Sequence, residues 1–88
     1  MRIFISYFDG SGVRKTIRLA IDDHENTNKL LELISIKIKI KKSHYIAKLK
    51  TDQFNVNIPF TQIRIIEGWP LTTYPFRNGS WVNVDILY

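Results

Sequence analysis

Residues 22–25, with the sequence Asp-Asp-His-Glu, carry four consecutive side chains that could ligate a metal ion or transfer a proton. A carboxylate beside a histidine can serve in acid–base catalysis, and both groups are metal ligands. Consecutive residues seldom converge on one ion, and no second cluster completes a coordination shell. The same residue types are typical of a turn that caps a helix and suits its dipole. We therefore expect no catalytic residue, metal or cofactor.

The sequence offers few other residues for nucleophilic catalysis or for phosphate binding. Cysteine is absent, which excludes thiol nucleophiles, disulfides and thiolate metal sites. The glycine-rich stretch at residues 9–12 lacks the lysine of a phosphate loop, and it joins two predicted strands with no helix following. We predict that the protein is not an enzyme and has no small-molecule substrate.

Basic residues are concentrated in one acid-free window of a chain whose formal net charge is +5. We call its six lysines the basic patch: Lys37, Lys39, Lys41, Lys42, Lys48 and Lys50. Such a run could neutralise phosphates, and Tyr45 and Phe54 are near enough in sequence to stack on bases. It contains no arginine, the usual reader of bases. The patch thus fits sequence-independent nucleic-acid contact or an acidic protein partner, and lysines on an exposed edge can also be merely solubilising.

Aromatic residues indicate a second candidate surface. If the alternating neighbours of Phe4 and Trp81 face the core, these two side chains point to the opposite face of the sheet. Ile66 and Trp69 would lie near the border of that face. Exposed apolar clusters of this kind mark protein interfaces. In the alternative, Trp81 covers a thin core, or the segment at about 39–57 covers Phe4.

The chain length and composition predict one folded domain over residues 1–88. Hydrophobic residues make up 44% of the 88 residues, which favours a packed core over disorder. No apolar run approaches the roughly 20 residues of a membrane span, and the first residues resemble a strand rather than a signal peptide. We expect a cytoplasmic protein, or a nuclear one if the source is a eukaryote.

Hydrophobic periodicity predicts a β-hairpin, a helix and later strands. The expected elements are strands at 1–8 and 13–21 around a turn at 9–12, a helix from about 27 to 36, and strands at 62–66 and 81–87. Residues 34–41 also alternate with period two, so that stretch is either an edge strand or more helix. Residues 43–57 form either a hairpin around 51–53 or an ordered excursion.

These elements occur in the order of a β-grasp domain, and several stretches resemble ubiquitin. The matching stretches are residues 1–5, the turn at Gly10, 16–19, 58–59, 62–66, Gly68, 71–76 and the turn at 77–80. The resemblance implies an α+β, ubiquitin-like β-grasp fold: a mixed four- or five-stranded sheet and one main helix. It also implies an insertion, at about 39–57, between the helix and the third strand. We expect twelve core residues: Ile3, Ile5, Ile17, Leu19, Ile21, Leu30, Ile34, Ile65, Leu71, Phe76, Val82 and Val84.

Two departures from ubiquitin shape the functional expectation. Conjugating members of the family end in Gly-Gly, whereas this sequence ends on its last predicted strand, so we expect a non-conjugated member. Ubiquitin's recognition patch, an isoleucine, a histidine and a valine, corresponds here to Ile66, Asn83 and Asp85. A carboxylate in place of the valine makes ordinary ubiquitin receptors unsuitable partners.

The sequence is also similar, more loosely, to the YukD-like proteins of type VII secretion and to the ubiquitin-like protein of the minor spliceosome's U11/U12 particle. These likenesses and the exposed aromatic residues predict a non-enzymatic adaptor, in a larger complex or alone. We expect it to bind a protein through Phe4, Ile66, Trp69 and Trp81. The alternative is a nucleic-acid- or ribonucleoprotein-associated module that uses the basic patch.

Overall fold

A computed structural model describes residues 1–51 and 61–87, except for the side chain of Thr61. The described strands form one five-stranded sheet in the order β2-β1-β5-β3-β4, in which only β1 and β5 are parallel neighbours. The main elements are β1 (Arg2–Phe8), β2 (Arg14–Ala20), α1 (Thr27–Ile38), β3 (Tyr45–Thr51), β4 (Thr61–Arg64) and β5 (Trp81–Ile86). Short 3-10 helices occupy Lys42–His44 and Leu71–Thr73. The predicted α+β architecture, a mixed sheet with one main helix, is confirmed.

The first hairpin forms as the alternation predicted, and its turn is closed by one side chain. The Asp9 carboxylate accepts hydrogen bonds from the backbone N–H groups of Ser11 and Val13, at 2.9 and 3.0 Å, and from the Ser11 hydroxyl at 2.7 Å. Gly12 takes a φ of 80°, which a residue without Cβ adopts at little cost. The Ser11 hydroxyl is the main reason that the pKa of Asp9 lies below its ordinary value.

Helix α1 extends two residues beyond its expected end. It begins after Asn26, whose side chain accepts from the backbone N–H of Lys29 at 3.1 Å, and it ends at Ile38, before the C-cap Lys39, where φ is +60°. Within residues 34–41, Ile34 and Ile38 are buried, whereas Ile36 between them is 63% exposed. The helical interpretation of residues 34–38 is therefore right, because a strand would place all three isoleucines on one face.

The prediction placed the third strand too late in the chain. Tyr45–Thr51 is β3 and pairs with the closing strand β5, whereas the expected third strand at 62–66 is the fourth, edge strand, Thr61–Arg64. The segment expected to be an insertion, 39–57, therefore contains β3, and only residues 39–44 separate the helix from it. Burial of alternate β3 residues drives this pairing, because Tyr45, Ala47 and Leu49 face the core. The hairpin proposed around 51–53 and the base-stacking role of Phe54 lie outside the described residues.

The core lies between α1 and one face of the sheet. Ten of the twelve expected core residues are buried, and the other two, Ile17 and Phe76, are partly buried against them. Leu31, Ile38, Tyr45, Ala47 and Leu49 complete the core and were not expected there. The hydroxyl of Tyr45 donates to the carbonyl of Leu31 at 2.6 Å and bonds Ser35 Oγ at 3.0 Å, so its burial leaves it satisfied.

The described helices are all too short or too polar to cross a membrane.

Candidate functional site

The face of the sheet turned away from α1, which we call the outer face, carries the aromatic pair that the sequence singled out. Side chains alternate along each strand, so the neighbours of the buried residues lie on this face. Its members are Arg2, Phe4, Ser6, Phe8, Arg14, Thr16, Arg18, Ala20, Ile46, Lys48, Lys50, Gln62, Arg64, Trp81, Asn83 and Asp85.

Phe4 and Trp81 are opposite each other on the parallel strands β1 and β5, and their rings stack. The ring centroids are 4.9 Å apart and the ring planes differ by 23°. This separation matches the spacing of about 4.8 Å between adjacent strands, so each ring covers one face of the other. Trp81 is still 37% exposed. The pair therefore presents an apolar ridge in the sheet's outer face, and the prediction that both residues share one face is confirmed.

A cation lies on each side of the aromatic ridge. Arg18 pairs with Phe4 across β2 and β1, and Lys50 pairs with Trp81 across β3 and β5. The four residues thus form one row across four adjacent strands. Three strand steps separate the Cα atoms of Arg18 and Lys50 by about 14 Å.

Positive charge dominates the described part of the outer face. Its six cations are Arg2, Arg14, Arg18, Lys48, Lys50 and Arg64, against a single carboxylate. That carboxylate belongs to Asp85, and it pairs with Lys48 at 3.1 Å between Nζ and Oδ2. Arg14 donates from Nε to the Ser6 hydroxyl at 2.9 Å. The face therefore favours an anionic ligand.

The basic patch does not form one surface. Lys48 and Lys50 lie on the outer face, whereas Lys37 belongs to α1 and Lys39 caps it. Lys41 and Lys42 follow, and Lys42 Nζ is 3.7 Å from the carboxylate of Glu67. The basic patch contains no arginine, but strand pairing supplies one from another strand. Arg64 of β4 lies opposite Lys48 of β3.

Ile66 and Trp69 lie at the start of the helix rather than beside the aromatic ridge. The buried Thr27 hydroxyl donates to the carbonyl of Ile66 at 2.7 Å and accepts from the N–H of Trp69 at 3.2 Å. The Thr27 N–H also donates to the carbonyl of Trp69 at 2.8 Å. The Ile66 side chain is 54% exposed and that of Trp69 is 50% exposed. The four aromatic and apolar residues predicted as one site therefore lie in two separate places, Phe4 and Trp81 on the outer face, Ile66 and Trp69 near the start of α1.

The position that the ubiquitin resemblance assigned to Ile66 is occupied by another residue. Strand β3, not β4, lies beside the closing strand, and it places Lys48 opposite Asn83. The assignment of Ile66 was wrong, because the third strand begins at Tyr45. The equivalent of ubiquitin's apolar patch is thus Lys48, Asn83 and Asp85, and two of these three residues form an ion pair.

Two cavities border the aromatic ridge, one on each side. A cavity of about 350 Å³ is lined by Arg2, Ile3, Phe4, Arg18, Leu19 and Ala20. On the other side, a cavity of about 590 Å³ is lined by Lys50, Thr51, Pro75, Phe76, Arg77, Gly79, Ser80 and Trp81. Each cavity contains one ring of the pair and two cations, so each offers an apolar contact beside positive charge.

The cluster of acids and histidine before α1 forms an exposed turn. Asp22, Asp23 and His24 bring their ligand atoms within 4.8 Å of one another, and all three residues are exposed. The Asp22 carboxylate accepts from the backbone N–H of His24 at 2.9 Å, which is the main reason that its pKa lies below the ordinary value. The expected helix-capping role of these residues is wrong, because Asn26 caps α1 and the first turn of the helix has no acid; Asp22 instead closes the turn that precedes it.

Comparison with known proteins identifies the fold. No family model matches the sequence, and no curated protein matches it. Among solved structures, the chain is similar to the NMR structure of the ubiquitin-like domain of the Arabidopsis thaliana protein At2g32350, with a TM-score of 0.69 and 15% sequence identity. The match covers 99% of this chain and 79% of that one. The fold is a ubiquitin-like β-grasp, as the sequence predicted, and function must be argued from the site.

Proposed function

We propose that the protein is a non-enzymatic interaction module that binds a protein partner through the outer face of its sheet. The observation that carries this proposal is the stacked pair of Phe4 and Trp81, held in one row between Arg18 and Lys50. Aromatic rings with a charged border are the usual composition of a protein interface, where a few such anchors supply most of the binding energy.

The energetics of the ridge favour a partner that covers it. A buried aromatic side chain removes roughly 150–250 Å² from water, at about 25 cal/mol per Å². The two rings are already stacked in the free protein, so little side-chain entropy is lost when a partner binds them. The surrounding cations would then select an acidic partner and speed its association.

Ile66 and Trp69 are a separate candidate contact. Their exposed side chains project from a loop that the Thr27 hydrogen bonds fix to the start of α1. We assign them to a second protein contact, independent of the ridge, which a larger complex would use.

Nucleic acid is the second candidate ligand, because the outer face carries six cations and one carboxylate among its described residues. Stacking with a base requires an open ring face. In the Phe4–Trp81 pair each ring already covers one face of the other, and the next positions of the row on either side belong to Arg18 and Lys50. This arrangement supports a protein partner over a nucleic acid.

Capture from cell extract, with and without nuclease, tests the proposal. Wild type is compared with Phe4→Ala/Trp81→Ala, with Ile66→Ala/Trp69→Ala, and with a control, Val13→Ala/Ile36→Ala. The control removes two exposed apolar side chains that lie off the outer face. We expect a partner that survives nuclease, is retained by the control and is lost with the Phe4/Trp81 variant.

Three results would decide against that role for the ridge. Retention of every partner by the Phe4/Trp81 variant would contradict it, and loss only with the Ile66/Trp69 variant would move the site to the helix end. Loss of all partners on nuclease treatment would make the nucleic-acid module the better account. Circular dichroism of each variant shows that a lost partner does not reflect a lost fold.

A further inference from the structure

The row of Arg18, Phe4, Trp81 and Lys50 has a spacing that selects one kind of peptide. An extended chain rises about 3.3 Å per residue, so residues i and i+4 are about 13 Å apart. That span is close to the roughly 14 Å between the two cations of the row. Residues i, i+2 and i+4 of an extended chain also share one side. A peptide lying across the strands would therefore present three side chains to the row at once.

We infer that the partner of the outer face contributes an extended acidic segment in which two carboxylates four residues apart flank an apolar residue. The apolar side chain covers the ridge of Phe4 and Trp81, and the carboxylates lie against Arg18 and Lys50. This inference rests on the proposed function, and it adds the chemistry of the partner and the direction in which its chain runs.

Charge complementarity on the outer face supports an acidic occupant. The only carboxylate at its described positions, Asp85, is 3.1 Å (Oδ2 to Nζ) from Lys48, which lies two residues along β3 from the row. In the row itself, a cation stands at each end of the aromatic pair. A carboxylate from a partner is the complement of each cation, and a guanidinium can bind it through two hydrogen bonds.

The cavities beside the ridge provide room for the flanking side chains. Arg2 and Arg18 line the cavity next to Phe4, and Lys50 and Arg77 line the cavity next to Trp81. An acidic side chain entering either cavity meets two cations there. A helical partner fits less well, because its i and i+4 residues are only about 6 Å apart.

The test uses two synthetic nine-residue peptides of identical composition, each capped at both ends. The first, Gly-Ser-Glu-Thr-Leu-Thr-Glu-Ser-Gly, has the inferred spacing. The second, Gly-Ser-Thr-Glu-Glu-Thr-Leu-Ser-Gly, has the same charge with adjacent glutamates. Titration of the ¹⁵N-labelled protein with each, followed by NMR, maps the contact and gives the affinity. An oligothymidine of ten nucleotides is the nucleic-acid probe.

Two variants with the same change in charge separate local contact from overall attraction. Arg18→Glu/Lys50→Glu reverses the ends of the row, and Lys37→Glu/Lys41→Glu reverses two exposed lysines at the helix end. We expect the first peptide to shift the amide signals of Phe4, Trp81 and their row neighbours. We also expect it to bind about tenfold more weakly to the row variant and within about twofold of wild type to the helix-end variant.

Four outcomes would overturn the inference: no binding of the first peptide, equal binding of both peptides, equal weakening by both charge reversals, or a clear preference for the oligothymidine. The capture experiment, repeated with the row variant, separates failure of this inference from failure of the proposed function. If the row reversal retains a protein partner that the Phe4/Trp81 variant loses, the outer face is a protein interface with a different partner chemistry. If neither variant loses a partner, the proposed function fails with it.

Discussion

Lys48 and Asp85 form an ion pair across β3 and β5, with 3.1 Å between Nζ and Oδ2. They are diagonal neighbours, because Lys48 is opposite Asn83 and Asp85 is two residues further along β5. In the ubiquitin resemblance these positions belong to the apolar recognition patch, so the pair makes that region polar. It also neutralises one cation beside the aromatic ridge, Lys48.

Asp85→Asn removes the acid of this pair and leaves the shape of the side chain. Both side chains are partly exposed, so we expect the free energy of unfolding to change by less than about 1 kcal/mol. The affinity for the acidic peptide with the inferred spacing should rise about two- to threefold, because Lys48 is no longer paired. The control is Asp23→Asn, which changes the net charge equally on the turn before α1. A similar gain with Asp23→Asn would show that only net charge matters.

Thr27→Val tests how the loop of Ile66 and Trp69 is held. Valine keeps the shape of threonine but removes the hydroxyl that bonds the Ile66 carbonyl and the Trp69 N–H. We expect a loss of about 1 kcal/mol in the free energy of unfolding, measured in urea, because two partly buried hydrogen bonds are lost. The exposed Thr72→Val is the control and should change it by less than about 0.5 kcal/mol. Equal effects of the two substitutions would contradict this role of Thr27.

Lys39→Gly should stabilise the protein. Lys39 ends α1 with a φ of 60° and ψ of 39°, a left-handed conformation that costs a residue with a Cβ about 1 kcal/mol. Glycine removes that strain, although it adds entropy to the unfolded chain, and we expect a net gain of about 0.5–1 kcal/mol. Lys39→Ala keeps the strain and should give no gain. Urea unfolding of both variants checks this, and a gain with alanine alone would refute the explanation.

Burial of Tyr45 should make the free energy of unfolding depend on pH in the alkaline range. Burial raises the pKa of its phenol above the ordinary 10.0, so the folded protein holds the proton more tightly than the unfolded chain. The stabilisation of the folded state by the protonated Tyr45 phenol is therefore complete below about pH 10. It is lost as the pH rises through the raised pKa of the folded protein. Tyr45→Phe should cost about 1–2 kcal/mol at neutral pH, because the bonds to Leu31 and Ser35 are lost. The difference between wild type and variant should shrink above pH 10, and a constant difference would contradict this account.

The elements with one clear period were predictable from the sequence. Alternation fixed the first hairpin, and it also placed Phe4 and Trp81 on the face opposite Ile3 and Val82, where they stack. The end of α1 was ambiguous because residues 34–41 fit two periods. The ubiquitin-like fold was predicted from the order of the strands and the helix along the sequence, rather than from any one local pattern.

Strand β3 and the composition of the outer face were harder to predict. In β3 the inward residues include the small Ala47, and the outward residues include the apolar Ile46, so the alternation is weak. The cations of the outer face come from four separate strands, and only pairing brings Arg18 and Arg64 into the same face as Lys50. The roles of these residues in binding, and the cytoplasmic or nuclear location, stay predictions.

Site-specific photo-cross-linking tests the binding role of the outer face most directly. A photoreactive amino acid replaces Thr16, an exposed outer-face residue two residues along β2 from Arg18, or Ile36, exposed on α1. We predict that the probe at position 16 cross-links a protein in cell extract, that the probe at position 36 does not, and that Phe4→Ala/Trp81→Ala abolishes the product. A product that forms equally from position 36, that persists in the double variant, or that contains nucleic acid instead of protein would contradict the account.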